Sequence, residues 1–470
     1  MKYKIDIEEI RNIEKSNFSE ESTQVKILAL IETLCGVIIE LQEENQELKD
    51  EINRLKGEKG VPKFKAGKPK DANEDKEAPV KMENGKKGSW KKGTKKDKVK
   101  IDRTETVKID KTGLPNDIEF KGYEERVIQN IIVQTDNVMY RLEKYYSPSQ
   151  GKTYTAELPE GLKGTEFGPE TKALISALYY ENRVTEGKIA SFLNANGLHI
   201  SEGTISNILI KEQSETLTEL KQKVFEAGLK SGVYQQIDDT GMKIAGKNGY
   251  ATIVCNEKYS VFFINQSKSR ETVQSFLTSF LVSFFIILVG DDAPQFKKIA
   301  KRYALCWVHE ERHYAKLNPV LMCHIEELKR VRSEIWGYYE KLKEYKANPT
   351  DEKKAKLRDE FDLLFGQDTS YEALNSRLAL TLKKKDELLT VLCYPEVPLH
   401  NNLSENGVRE MVLKRKISGG VETDAGRKAW ENNMSILATC KKLGISFFDF
   451  MKGIFSKNNT INLPALIDQR

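Results

Sequence analysis

The sequence predicts an α/β fold: a mixed sheet carrying a helical insertion, preceded by a coiled coil, a small β module and a helical, helix-turn-helix-like domain. Three observations lead there. Leucines recur at heptad spacing near the N-terminus, β-branched and aromatic runs follow one another from Val233, and two of those runs end on adjacent acids, Asp238-Asp239 and Asp291-Asp292. The 470 residues leave room for about three domains at a usual ~150 residues each. Read in order, the segments are 1–56, 57–100, 101–160, 161–230, 231–318, 319–394 and 395–470.

Residues 1–56 read as an N-terminal helix and leucine zipper. Leu34, Leu41, Leu48 and Leu55 follow Ile27 in one register, and the positions three residues earlier are Ile31, Ile38, Asn45 and Ile52. Isoleucine at a with leucine at d favours two parallel strands, and one buried asparagine fixes the register. The same stripe would also suit a helix packed on its own body. Gly57 and Gly60 close it.

Residues 57–100 read as a basic linker without a core. Between Lys56 and Lys100 there are 16 lysines and 7 acids, against 59 basic and 63 acidic residues elsewhere. All the excess positive charge therefore sits in one tract, as a polyanion-binding arm or a solvated linker would have it. Lys91, Lys92, Lys95 and Lys96 flank Trp90, a mixture suited to phosphates and a stacked base.

Residues 101–160 turn β-like, with a hairpin predicted from Arg126–Gln134 and Val138–Tyr146 about a Thr-Asp-Asn turn. This module holds no cysteine. The six cysteines of the chain are scattered without a Cys-x-x-Cys pair, which argues against a disulfide framework and a zinc ribbon and fits a reducing cytoplasm. The N-terminus lacks the apolar run of a signal peptide. Gln274–Gly290 is uncharged over 17 residues, short of the ~20 that span a bilayer. A helix end feeding a buried strand is expected there, with no membrane partner.

In 161–230, Glu170–Tyr180 reads as a helix, followed by two short helices joined by a glycine-containing turn. Thr185 and Ser201 are N-cap candidates, Ser201 opening Glu202–Ile210. That pair has the order of a helix-turn-helix, with Thr204 and Asn207 on the recognition helix, although many all-α bundles contain such pairs.

From Val233 the order is three short strands, a helix over Ser269–Leu281, an apolar strand ending at Asp291-Asp292, and a strand at Tyr303–Trp307. This is the order of an RNase H-like sheet. Acids at the ends of neighbouring strands repel one another unless a cation lies between them, and magnesium or manganese suits carboxylate oxygens. Adjacent strand residues point to opposite faces, so one member of each pair, Asp238 or Asp239 and Asp291 or Asp292, would bind it. A third acid, Glu405, lies in a predicted helix with Arg409 one turn on and Lys414, Arg415 and Lys416 beyond, basic residues able to hold phosphate. Alone, Glu405 would more often be a solvated helix residue, as Glu410 is expected to be. Cys306 and His309 supply two ligands, too few for a zinc site, and His309 reads better as facing phosphate.

These motifs resemble the transposases of the insertion sequence 66 group, which carry an Asp-Asp-Glu triad. Asp238-Asp239-Thr240 matches the first acid motif, Asp291 in LVGDDAPQF the second, Cys306-Trp307-x-His309 with Arg312 the next, and Asn401-Asn402-x-x-Glu405 followed by Arg409, Arg415 and Lys416 the last. The resemblance implies catalysis by Asp238, Asp291 and Glu405 with two magnesium or manganese ions. It also implies binding of transposon-end and target DNA, with cleavage and strand transfer, and small companion proteins of the same element. It selects Asp238 and Asp291, leaving Asp239 and Asp292 as alternatives, and makes 319–394 the helical insertion before the glutamate. Departures are Asp239 where glutamate is usual, His400 where aspartate often stands, and the absence of the family's cysteine-rich zinc module. A divergent branch without zinc is therefore expected. The rival readings are a transposase-derived DNA-binding protein that no longer cuts, a coiled-coil scaffold, and an RNase H-like nuclease that does not join strands.

The zipper predicts a homodimer. Replacing Leu41 and Leu48 with lysine is expected to give a folded monomer by light scattering, whereas a persisting dimer would place the main interface elsewhere.

Overall fold

The computed structural model describes residues 27, 34, 36, 37, 41, 100–110, 115, 119–281 and 287–469. Ile27, Leu34, Gly36, Val37 and Leu41 are helical. The remaining zipper positions, and Lys91, Lys92, Lys95 and Lys96, lie outside the described residues. The chain divides into two units, residues 44–134 and the remainder. In the smaller one, every described residue is exposed and outside helix or strand.

The hairpin forms later than the sequence predicts. Arg126–Gln134 makes no strand; β1 (Lys144–Ser147) pairs antiparallel with β2 (Lys152–Thr155), Tyr146 opposite Thr153. The turn between them holds Pro148 and Gly151, the latter at φ +61°. A fixed proline φ and a left-handed glycine make stronger turn chemistry than Thr-Asp-Asn.

Helices α1 (Pro169–Ser176, continued by a π turn over Ala177–Glu181), α2 (Glu186–Ala195), α3 (Glu202–Ile210) and α4 (Ser214–Lys230) follow. Ser201 caps α3, its hydroxyl accepting from the Thr204 amide at 3.2 Å. Thr185 occupies the N-cap of α2 without a side-chain hydrogen bond. Gly197 makes the turn at φ +86°.

The sheet comprises β3 (Tyr234–Ile244), β4 (Lys247–Cys255), β5 (Ser260–Asn265), β6 (Ile287–Gly290) and β7 (Arg302–Leu305), in the order β5-β4-β3-β6-β7. β3, β4 and β5 are antiparallel, while β6 and β7 run parallel to β3. This mixed five-stranded sheet is compatible with an RNase H-like core. The crossover helix is α5 (Arg270–Leu281), and all four residues of β6 are buried, as an apolar run covered on both faces should be. Among the described residues no helix is long and apolar enough to cross a membrane.

Beyond β7 come α6 (Trp307–Ala315), α7 (Met322–Ala347), α8 (Asp351–Phe365), α9 (Glu372–Leu382) and α10 (Lys385–Leu388), then α11 (Asn402–Ser418), α12 (Asp424–Leu443), α13 (Phe447–Phe455) and α14 (Leu463–Gln469). Trp307, at the start of α6, fastens α7 to α10: its indole donates to Leu388 O at 3.0 Å and its ring meets Tyr338, Phe361 and Phe365. One apolar cluster runs from Ala173 through the sheet to Ile467, so the first four helices share their core with the strands.

The outer edge of β5 is covered by side chains of α12. Ile264 N donates to Glu431 Oε1 at 2.5 Å, Phe262 N to Ser435 Oγ at 2.9 Å and Ser260 N to Thr439 Oγ1 at 3.2 Å. Four helical residues rise about 6 Å and two strand residues nearly 7 Å, so positions four apart on α12 meet positions two apart on β5. Lys221 of α4 balances Glu431 at 3.1 Å. Ser435→Ala leaves a buried strand amide without a partner and is expected to lower unfolding free energy by about 1–3 kcal/mol in urea titration; no change would mean the edge is not held this way.

Candidate active site

Asp238 lies on β3, Asp291 at the end of the neighbouring strand β6 and Glu405 on α11, but among the described residues the three carboxylates do not all come within 4.8 Å of one another. β3 does not end at Asp238-Asp239, as the sequence suggests, but runs on to Ile244. Asp238 lies on the central strand, opposite Ile253 of β4, and Asp291 immediately follows β6, the parallel neighbour of β3. Gly290 sets the exit of the chain. A Cβ there would stand 2.4 Å from the Tyr303 hydroxyl, which passes over the glycine and donates to Asp291 O at 2.6 Å.

Glu405 is brought to them by two amides. Gln236, on the same face of β3 as Asp238, accepts from Leu403 N at 3.0 Å and Ser404 N at 3.3 Å, and donates to His400 O at 3.1 Å. It does for α11 what an N-cap side chain does, from another strand. Asn401 is fully buried and donates to Ile237 O at 3.0 Å. One turn on, Gly407 lets the helix lie against β4, since a Cβ at that position would approach Ile253 Cδ1 to 2.2 Å.

The electrostatics separate the members of each acid pair. Asp239 receives a hydrogen bond from Gln295 at 2.6 Å and has Lys268 at 3.5 Å; Asp292 meets Lys297 at 2.5 Å and Lys384 at 2.6 Å. Against the opposing effect of burial, those two lysines hold the Asp292 carboxyl below its ordinary range. Neither Asp238 nor Asp291 forms an ion pair with lysine or arginine among the described residues. Burial pushes Asp238 up to about 7, opposed by the Asp239 amide and reinforced by the negative charges of Asp291, Asp239 and Glu405. Burial likewise raises Asp291.

Glu405 faces α6. Arg312 lies 3.4 Å from its Oε2, and His309 Nδ1 lies 3.6 Å from Oε1, too far for a hydrogen bond. Both of those facing atoms are buried without a hydrogen-bond partner among the described residues. Burial keeps the His309 imidazole below its usual pKa, and its Nε2 contacts Arg312 at 3.0 Å.

Ligand atoms of Cys306, His309 and Glu405 lie within 4.8 Å of one another, so the structure adds an acid to the pair that the sequence offered. The Cys306 thiol, however, is only 1% exposed and raised by burial, which opposes the thiolate that zinc takes. Asp238, Asp291 and Glu405 offer hard oxygens, and Glu405 Oε1 is without a hydrogen-bond partner among the described residues. Those properties fit magnesium or manganese.

Other sequence-named residues are placed elsewhere. Arg409 is exposed on α11, and Arg415 and Lys416 line a cavity beside the tip of the β3–β4 hairpin. Thr204 shares its hydroxyl with the Ser201 cap, while Asn207 is exposed on α3. Two expectations are corrected. Lys414 does not offer itself to phosphate: it is fully buried, lies 3.2 Å from the centre of the Tyr179 ring and donates to Tyr179 O at 2.8 Å, and burial pushes its pKa down to about 7. Glu410 is not merely solvated, because it pairs with Arg183. Both face the first helices because α11 is covered on that side.

Sequence reasoning missed Gln236, Tyr303 and a buried network behind Asp292. Lys384 bridges Asp292 to Glu310 at 3.2 Å, and Glu310 also pairs with Arg377 and accepts from Thr381 at 2.5 Å. No local pattern marks these residues, since each acts on a partner far along the chain.

The raised Asp238 pKa has a stability consequence. A carboxyl protonated more readily in the native state costs nothing below its unfolded value of about 4, and the cost grows as pH rises to about 7. Metal-free Asp238→Asn is therefore expected to exceed wild type in stability at pH 8, by up to ~4 kcal/mol, with the difference shrinking toward pH 4 in denaturant titrations. A variant less stable at pH 8 would contradict this.

An uncharacterized protein of Sinorhizobium fredii, y4jO, is 42% identical over 165 residues, which cover 35% of this chain and 51% of that protein. The match thus spans about half the length of the curated relative. The model of the family described as "Transposase IS66 family" matches residues 164–429, from just before α1 through the sheet and the insertion into α12. A match over more than half of the chain, taking in Asp238, Asp291 and Glu405, settles the relationship: this chain belongs to the IS66 transposase family.

Proposed function

We propose that the chain is a DNA transposase that binds transposon ends and carries out metal-dependent strand cleavage and strand transfer through Asp238, Asp291 and Glu405. The observation that carries this reading is the placement of Asp238 on β3, Asp291 at the end of its parallel neighbour β6, and Glu405 on the helix whose first turn Gln236 fastens to β3. Asp238 and Asp291 form no ion pair with lysine or arginine among the described residues, while the neighbouring Asp239 and Asp292 are occupied by lysines. In this reading Asp238, Asp291 and Glu405 hold two magnesium or manganese ions, which when bound would supply an activated nucleophile and neutralise charge on the phosphate.

The chain's own residues do the rest. Arg312 orients Glu405 and adds positive charge for the phosphate, with His309 beside them. Tyr303 fixes the main chain at Asp291. Arg409, Arg415 and Lys416 take flanking phosphates. Thr204 and Asn207 read the transposon end, Asn207 from an exposed position, and Lys91, Lys92, Lys95 and Lys96 add sequence-blind affinity that falls with salt. The zipper segment pairs two protomers so that two ends meet, and companion proteins of the element join that assembly.

Glu405→Gln keeps shape and removes charge. It is expected to bind end DNA as wild type does and to lose at least ~100-fold in magnesium-dependent cleavage on a labelled-DNA gel. Glu422→Gln, at an exposed acid, should cleave normally. Magnesium should also raise the melting temperature of wild type more than that of Asp238→Asn. Undiminished cleavage by Glu405→Gln would falsify the assignment.

A further inference from the structure

We propose that a recess between the C-terminal end of α11 and the start of α5 binds single-stranded DNA, taking phosphates on Lys243, Arg415 and Lys416 and stacking a base on Tyr250. The inference rests on the reading of the chain as a DNA-processing enzyme and names a substrate feature for it.

Two cavities, of about 400 and 610 Å³, adjoin at Tyr250, which lines both. The first contains Lys243, Arg415 and Lys416 and no acid. Neither Arg415 nor Lys416 has a carboxylate partner among the described residues, and Lys243 is held by Asn248 at 2.7 Å. The cross-strand neighbour of Tyr250 on β3 is Gly241, which has no side chain to lie against the ring. Gly249 and Gly419 continue that low wall. Where Gly241 lacks a Cβ, the Arg415 guanidinium comes to 3.9 Å.

The second cavity, whose wall includes Glu271, leads toward Asp239 through Lys268 and Gln295. Lys268 Nζ lies 5.1 Å from the centre of the Tyr250 ring and 3.5 Å from Asp239, the residue next to Asp238. Arg270 fixes the far wall by donating to Pro294 O at 3.0 Å. One cation thus stands over a half-buried aromatic ring, with Arg415 and Lys416 in the adjoining cavity, and the recess reaches Asp239.

A basic groove with an aromatic platform is the arrangement that holds single strands, because only an unpaired base offers its face for stacking. In a duplex the base faces are covered by their neighbours, and the backbone would meet the rim of the recess rather than the ring. The lysine with its cation over Tyr250 leaves one face of the ring to a base and places a positive charge where the next phosphate would run.

The test uses the full-length chain. A thymidine decamer carrying one 5-iododeoxyuridine is irradiated with the protein, and the cross-linked peptide is identified by mass spectrometry. The unmodified decamer and its duplex are titrated by anisotropy at two salt concentrations. The expected result is a cross-link to the peptide containing Tyr250, with Tyr250→Ala weakening decamer binding ~10-fold, duplex binding changing less than about 2-fold, and Tyr250→Phe retaining affinity. Arg415→Ala with Lys416→Ala should lower both the affinity and its dependence on salt. Cross-links confined to other peptides overturn the site. Equal weakening of decamer and duplex by Tyr250→Ala overturns the single-strand assignment. Either failure is distinct from failure of the catalytic reading, which is read from cleavage by Glu405→Gln and needs no binding at Tyr250.

Discussion

The candidate site depends on the bond between a strand and the start of a helix. Gln236 and Asn401 tie α11 to β3 through the groups that each element would otherwise leave open: first-turn amides on the helix and a main-chain carbonyl on the strand. Because Gln236 and Asp238 share a face of β3, the same stitch that anchors α11 fixes how far Glu405 stands from the first acid. Gly407 then sets the depth of the helix on the sheet by allowing contact with Ile253, the cross-strand neighbour of Asp238. The third acid is located by packing and two buried amides, 167 residues along the chain from the first.

A second principle is selective neutralisation. In each pair of adjacent acids one member is given cations and the other is left to repel its neighbours. Lysines 268, 297 and 384 perform this division, and Lys384 comes from the end of the helical insertion. Its bridge to Glu310, with Arg377 beyond, joins the insertion to the end of β6 through buried charge. Truncating one partner of such a network leaves an uncompensated buried charge, which costs more than the intact network contributes. The insertion is thereby part of the environment of Asp291.

The strand β6, which ends just before Asp291, was legible in the sequence because its signal is local, whereas β3, which the sequence ends at Asp238-Asp239, runs on to Ile244. An apolar run followed by carboxylates needs no knowledge of its neighbours, and the Ser201 cap was equally local. The hairpin was misplaced because β-branched residues at Ile128–Val133 outweighed the stronger turn residues Pro148 and Gly151. Lys414 and Glu410 were misread for another reason: a charged residue on a predicted helix looks solvated until the helices packed over it are known. The choice between Asp238 and Asp239, or Asp291 and Asp292, could not be made from strand parity. Their cations and amide partners come from other segments, Lys384 from 92 residues beyond Asp292. The site was legible as a set of acids and illegible as a geometry.

The covering of β5 by α12 bears on synthesis at the ribosome. The amides of Ser260, Phe262 and Ile264 find their acceptors on residues 167 to 179 positions later in the chain. At the ~5–20 residues per second of translation, the sheet waits roughly 10–30 s with that strand edge open after β5 has emerged. During this interval a nascent chain presents an unpaired, apolar strand to any neighbour on the same messenger, until Glu431, Ser435 and Thr439 arrive to close it.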